Sequence, residues 1–372
     1  MLSPATETEM SEMVAAAAGP LRIMGGGTRP IGAPVAGEVL SVAALTGIEL
    51  YEPGALTIVA KAGTPLAEVE AALAAEGQRL PFEPMDHRAL LGTEGAPTIG
   101  GVVAANASGP RRIQAGAARD SLIGVRFVDG SGNIIKNGGR VMKNVTGYDL
   151  VKLMAGSWGT LGILTEVAFK VLPAPEAAAT LALEGLSDLQ AVEAMATALG
   201  SPFEVTGAAH LPAEARTLLR IEGFSASVAY RAERLAALLS AFGNVEVSRD
   251  AAEVADAWRR LRDVTAFSGR PGDVWRLSVT PSDGPGIAAR TGGEVIYDWG
   301  GGLIWALVPE GTDLRARLGA FAGHATMIRA LEETRARIAP FQPEPPPLAK
   351  LSRGLREKFD PRGILNPGLM EA

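Results

Sequence analysis

The residues best suited to hold a ligand lie in glycine-framed stretches. Residues 98–109 read TIGGVVAANASG: a glycine pair, small apolar residues, then Asn106, Ser108 and Gly109. A dozen positions are stripped of bulk, and glycine lets main-chain N–H groups approach a flat or phosphorylated ligand without an intervening Cβ. A helix or turn packed tightly on a neighbouring strand produces the same pattern, so both readings stand for this stretch alone. Gly25-Gly26-Gly27-Thr28 follows the apolar run 21–24. Successive unhindered N–H groups can form a concave anion site suited to a pyrophosphate, and a flexible turn is the competing reading. Neither GxGxxG nor a Gly-Lys-Ser/Thr ending is present there, which excludes the Rossmann and Walker signatures. A third element combines Lys143-Asn144-Val145-Thr146-Gly147-Tyr148-Asp149-Leu150 with the run 156–166, where Gly159 and Gly162 again expose backbone. Lys143, Tyr148 and Asp149 either bond a ligand or fix loops.

Several chemistries are excluded outright. The chain has no cysteine, so disulfides, thiolate nucleophiles, cysteine-ligated clusters and cysteinyl flavin links are absent. Its three histidines, His87, His210 and His324, are far apart and lack metal-ligand spacing. A formal net charge of −6 disfavours nucleic acid as the main partner. The acidic N-terminus does not read as a secretory signal, and no apolar run approaches membrane-spanning length, so a cytoplasmic protein is expected.

The surrounding pattern shows how such loops are positioned. With 372 residues, 47% of them hydrophobic, the chain is expected to form two or three domains. Residues 56–60 read as a strand; Thr64 as an N-cap before Pro65; Leu66, Val69 and Leu73 as a helix face. Residues 123–128 and 134–135 flank a turn sequence and predict a hairpin, and 164–172 alternate as a strand before Pro173-Ala174-Pro175. From about 177 to 338 helical patterns alternate with strand-like runs, an α+β texture that holds every tryptophan but Trp158. Those tryptophans and the stiff linker QPEPPP at 342–347 are candidates for a partner surface. A helix with Leu348, Leu351, Leu355 and Phe359 on one face follows, then DPRGILNPG, a tail expected to dock.

The ordered set GGGT, TIGGVVAANASG with Arg119-Asp120 after it, NVTGYDL…GSWGTLGILTE and terminal DPRGILNPG resembles the vanillyl-alcohol oxidase or PCMH-type FAD-binding family, in its 2-hydroxy-acid branch. The resemblance covers about the first 172 residues and the last 25 well, and the middle weakly. It implies an α+β protein: a PCMH-type FAD-binding domain of two α/β subdomains (1–172), an α+β cap domain (173–340), and a linker, helix and tail (341–372) returning to the first domain. On that template Gly25, Gly26, Gly27, Thr28 and Arg29 form the pyrophosphate loop. Thr98, Gly100, Gly101, Asn106, Ser108 and Gly109 line flavin and pyrophosphate, with Arg119 following. Gly159, Gly162 and Ile163 meet the adenine side, and Asn366 approaches the ring edge. Many relatives link FAD through a histidine near the position of Thr28; with Thr there and no Cys, non-covalent FAD is expected.

The resemblance further implies a 2-hydroxy-acid oxidoreductase of the kind that converts glycolate to glyoxylate. The histidine-rich metal and base motifs of the active dehydrogenases are missing. Oxidising a 2-hydroxy acid calls for a base and a cationic carboxylate anchor. His87 is the best-placed base candidate and the loop pair Arg111 and Arg112 the anchor candidates, although such loop pairs are usually solvated. Two readings follow. In one, the chain holds FAD within a complex whose sister flavoprotein subunit oxidises the substrate and whose iron–sulfur subunit carries electrons onward, with membrane attachment only through partners. In the other it is a stand-alone FAD enzyme for a small hydroxy acid or polyol. A non-catalytic scaffold is a third, weaker reading. No catalytic residue is assigned.

Overall fold

The computed structural model describes residues 1–139 and 147–371. The chain forms two compact units: Met1–Ser108 with Gly116–Ala174 and Pro343–Ala372, and Gly109–Ala115 with Pro175–Gln342. The short segment Gly109–Ala115, which the sequence places at the end of the flavin-lining stretch, therefore belongs to the second unit. The chain's last thirty residues belong to the first.

The first unit has two apolar centres. The larger lies on a five-stranded sheet of antiparallel neighbours in the order Ile48–Glu52, Thr57–Lys61, Ile163–Lys170, Leu122–Val128, Ile134–Gly138. Ile58, Ala60, Val125, Phe127, Val167 and Phe169 pack there beneath the helices Leu66–Ala75, Ile99–Ala104 and Leu150–Met154. The hairpin expected at 123–135 is the pair Leu122–Val128 and Ile134–Gly138. Its turn is fixed by Asp129, whose Oδ1 accepts from the N–H groups of Ser131 and Asn133. The smaller centre joins Met10 and Val14 of the helix Glu7–Ala16 to Leu21, Leu40, Val128, Ile163, Ile364 and Leu365. The strands Leu21–Met24 and Glu38–Ser41 run parallel there, and the C-terminal tail docks beside them: Leu21 N–H donates to Ile364 O and Asn366 N–H to Leu21 O.

The second unit is one eight-stranded sheet in the order Val245–Ser248, Ala177–Glu184, Arg216–Gly223, Val205–Leu211, Glu294–Asp298, Leu303–Val308, Asp273–Val279, Gly323–Arg329. Alternation puts Leu181, Leu219, Ala208, Tyr297, Ile304, Leu277 and Ala325 in apolar clusters. The helices Asp188–Leu199 and Ser225–Leu239 add Ala191, Met195, Val228 and Leu235 to them. The same alternation gives the other face a polar strip, Arg276 opposite Thr326 and Ser278 opposite His324. His210 is fully buried, its Nδ1 2.9 Å from Thr217 Oγ1 and its Nε2 3.4 Å from Asp188. Burial depresses its pKa against the opposing pull of Asp188, so it is a neutral structural histidine.

Three local expectations change. Thr64 does not cap the helix Leu66–Ala75; its hydroxyl is held by the backbone N–H and C=O of Gly47. Trp258, Trp275 and Trp305 are buried and present no partner surface. The C-terminal helix is Pro346–Phe359, but Leu348, Leu351 and Leu355 face solvent, and only Phe359 of that stripe packs on the core, against Phe127.

Candidate functional site

The GGGT loop leaves the end of the strand Leu21–Met24 and presses against residues 95–101. A Cβ on Gly26 would stand 1.7 Å from Ala96 O, and one on Gly25 2.6 Å from Thr98 Oγ1. Thr98 caps the helix Ile99–Ala104 by accepting from Gly101 N–H at 3.2 Å. The two stretches noted in the sequence thus form one surface, and bare backbone is what lets them cross.

What this surface offers is donors. Among the described residues, no backbone N–H from position 25 through 29 donates to a protein acceptor. Gly27 turns the run with φ +70°. Successive main-chain N–H groups without protein partners, bent around a left-handed residue, form an anion-binding concavity. Arg29 adds a full charge. Its Nε donates to His87 Nδ1 at 3.1 Å and its Nη2 to Met85 O at 3.1 Å, while Nη1 lies 3.6 Å from where a Cβ of Gly101 would be. Burial lowers the Arg29 pKa to about 10, with Asp86 opposing, so the guanidinium stays charged near neutrality. This set fits a pyrophosphate in charge and donor chemistry.

His87 is buried, its Nδ1 lying 3.1 Å from Arg29 Nε and 3.3 Å from Met85 O. It orients a cation, which is a different task from the base suggested by its sequence position.

Other residues expected at the ligand also make contacts within the protein. Gly100 is glycine because a Cβ would stand 2.7 Å from Ala62 O. The hydroxyl of Ser108 contacts Asn106 O and accepts from Ala118 N–H, closing the loop 106–118. Asn106, at φ +48°, accepts from Arg119 N–H at 3.0 Å; the Arg119 side chain is itself exposed beside Asp120. Asn366 is buried with both ends of its amide engaged: Oδ1 accepts from Ile23 N–H and Nδ2 donates to Trp158 O, each at 2.8 Å. It ties the tail to the strand before the GGGT loop and to the turn holding Gly159. A Cβ on Gly162 would meet the Phe127 ring at 2.5 Å, and Ile163 lies in the smaller core, so their side positions serve packing. Lys143, Asn144, Val145 and Thr146 lie outside the described residues. Tyr148 is exposed, and Asp149 caps the helix Leu150–Met154 by accepting from Lys152 N–H.

In the second unit the paired arginines diverge. Arg111 is not solvated: its guanidinium makes two bonds of 2.9 and 2.8 Å to the Glu222 carboxylate, with both side chains buried. It cannot anchor a substrate. Arg112 lies over the Trp299 ring, 4.6 Å from its centroid, and Arg276 lies 5.0 Å from the same centroid. The Trp299 indole N–H donates to Gly109 O at 3.1 Å. Sequence reading missed Arg276 and Trp299, because an isolated arginine in an apolar strand carries no motif.

Residues 1–138 match a family model described as an FAD binding domain. Glycolate oxidase subunit GlcE of Escherichia coli (strain K12) is 38% identical over 356 residues, 95% of this chain and 93% of that protein. Glycolate oxidase subunit GlcD of Bacillus subtilis (strain 168) is 48% identical over 84 residues, only 23% of this chain and 18% of that protein. Among solved structures, an alkyldihydroxyacetonephosphate synthase superposes with a TM-score of 0.71 at 17% identity, over 98% of this chain and 76% of that one. A chitooligosaccharide oxidase gives 0.66 at 16%, over 99% and 91%; at these identities the two structures share the fold.

Proposed function

The chain belongs to the family of glycolate oxidase subunit GlcE, and from that premise we propose that it is the FAD-holding subunit of a complex that oxidises glycolate to glyoxylate. In this reading FAD is bound non-covalently, a sister flavoprotein subunit oxidises the substrate, and an iron–sulfur subunit takes the electrons onward. The observation that carries the reading is the 38% identity to GlcE over nearly the whole length of both chains. Among the described residues no helix is long and apolar enough to cross a membrane; in this reading the membrane is reached through partners.

The cofactor would supply the two-electron acceptor. The chain's own residues supply its binding. The N–H groups of residues 25–29 receive the pyrophosphate, and Arg29, oriented by His87 and Met85 O, neutralises part of its charge. Thr98 and Gly101 shape the adjoining wall, while Asn106, Ser108 and Asn366 hold the surrounding loops in register. Thr28, which is buried, stands in place of a linking histidine, and the chain has no cysteine, which supports non-covalent attachment. His87 is occupied by Arg29 and His210 is sealed in the core, so neither serves as the base a hydroxy-acid oxidation requires.

Anaerobic mixing tests the division of labour. Glycolate is expected to leave the visible flavin absorbance of the isolated chain unchanged, and to bleach flavin only when the sister flavoprotein is present. Rapid bleaching of the isolated chain would overturn the proposed support role and make this a complete enzyme.

A further inference from the structure

The tail of the chain meets the proposed cofactor cradle at a buried asparagine. Asn366 is 5% exposed and adopts φ +45°, in the left-handed region that asparagine tolerates better than most residues. The two ends of its amide serve different segments. Oδ1 accepts from Ile23 N–H, on the strand Leu21–Met24 that leads into the GGGT loop, and Nδ2 donates to Trp158 O in the turn that holds Gly159. Gly159 approaches both partners: a Cβ there would stand 3.0 Å from Asn366 Nδ2 and 3.5 Å from Ile23 Cβ. One side chain thus bridges the stem of the loop and a turn far from it in sequence. An apolar side chain of similar size could fill the space but could not make the bridge.

The main chain of the tail grips the same loop from both ends. Ahead of the loop, Leu21 N–H donates to Ile364 O and Asn366 N–H to Leu21 O; beyond it, Ala33 N–H donates to Leu369 O. Gly32, at φ +109°, leaves room for that second grip, since a Cβ would stand 2.6 Å from Leu369 Cδ1. Residues 25–29 therefore lie between two points that the tail holds. Among the described residues their backbone N–H groups find no protein acceptor, so the segment is shaped by what holds its ends and by its crossing with Ala96. The tail has its own anchor upstream. Asp360 Oδ2 accepts from Leu365 N–H at 2.7 Å, and Arg362 donates to Gly130 O at 3.0 Å and to Ala17 O at 3.2 Å. The helix Pro346–Phe359 before it buries no residue. A terminal segment of this kind opens locally, without unfolding the core.

We propose that Asn366 is a positioning residue for the cofactor. Docking of residues 364–370 sets the loop 25–29 and the turn at Gly159 in the arrangement that receives FAD, so that tail docking and flavin binding are one coupled equilibrium. The inference rests on the FAD reading above. Asn366 acts through Ile23 and Trp158, with no flavin contact of its own. Coupling between two equilibria is reciprocal: a tail that raises FAD affinity is itself tightened by FAD.

Amide hydrogen exchange of the full chain, with and without FAD, tests the coupling. FAD should slow exchange at least tenfold at Leu365, Asn366 and Leu369, whose N–H groups bond to the Asp360 carboxylate, Leu21 O and Asn366 O. N366D keeps an acceptor for Ile23 N–H but sets a carboxylate oxygen against Trp158 O. It should bind FAD about tenfold or more weakly, with an unchanged circular dichroism spectrum, and lose most of the FAD-induced slowing at Leu369. N366L, which breaks both bonds, should bind FAD more weakly still. Equal tail exchange with and without FAD in the wild type would overturn the proposal, and so would a folded N366D that binds FAD as tightly as wild type. If neither variant folds, the wild-type exchange comparison decides alone. A wild type that takes up no FAD would instead contradict the cofactor reading on which the coupling stands, so the two failures are distinguishable.

Discussion

Gly26→Ala is expected to give a folded, colourless protein whose affinity for FAD is about 100-fold lower than wild type. The added methyl would stand 1.7 Å from Ala96 O and 2.7 Å from Ala96 C. These are backbone atoms, so a rotamer change cannot relieve the clash and one of the two loops must move. The loop that moves carries the N–H groups of residues 25–29, or else the wall that ends in Thr98. A displacement near 1 Å in a preorganised polar site costs about two powers of ten. Gly54→Ala is the matched control, because nothing lies within 4 Å of its Cβ position and its φ is not positive. Flavin absorbance per protein and quenching of FAD fluorescence on reconstitution measure the effect. A Gly26→Ala protein as yellow as wild type would show that the loop crossing does not position the cofactor.

Arg111→Ala is expected to destabilise the second unit by about 3 kcal/mol. Truncation strands the Glu222 carboxylate in the interior, and a buried charge that loses its partner costs about 3–5 kcal/mol. The lower end applies because Arg220 Nε remains 3.6 Å from Glu222 Oε2. The double variant Arg111→Met/Glu222→Met should recover much of the loss, since removing both charges leaves neither stranded. Urea unfolding followed by tryptophan fluorescence reports on this unit, because Trp258, Trp275, Trp299 and Trp305 all lie in it. An unchanged midpoint for Arg111→Ala would mean that the pair contributes nothing to the unit.

Local patterns made the first unit legible. The hairpin around Asp129 and the strand at 163–170 follow from residues close in sequence. The reasons behind individual glycines were not legible. Gly26 and Gly100 are small because other backbone passes over them, and Gly162 because the Phe127 ring does; a ligand and a protein segment leave the same imprint on a sequence. Arg111 read as a solvated loop residue because Glu222, its partner, is 111 positions away. Thr64 has the composition of an N-cap but serves Gly47 across a turn. The amphipathic pattern of Leu348, Leu351 and Leu355 predicted burial and met solvent, since periodicity reports that a face is apolar and not what covers it. Arg276 and Trp299 meet only through strand order in the eight-stranded sheet, which no motif encodes.

Acid precipitation of the purified chain separates bound flavin from protein. The expected result is a yellow protein that releases all of its flavin into the supernatant as intact FAD, one per chain, and leaves a white pellet. A colourless protein that FAD cannot reconstitute would contradict the binding site, and colour retained in the pellet would contradict non-covalent attachment.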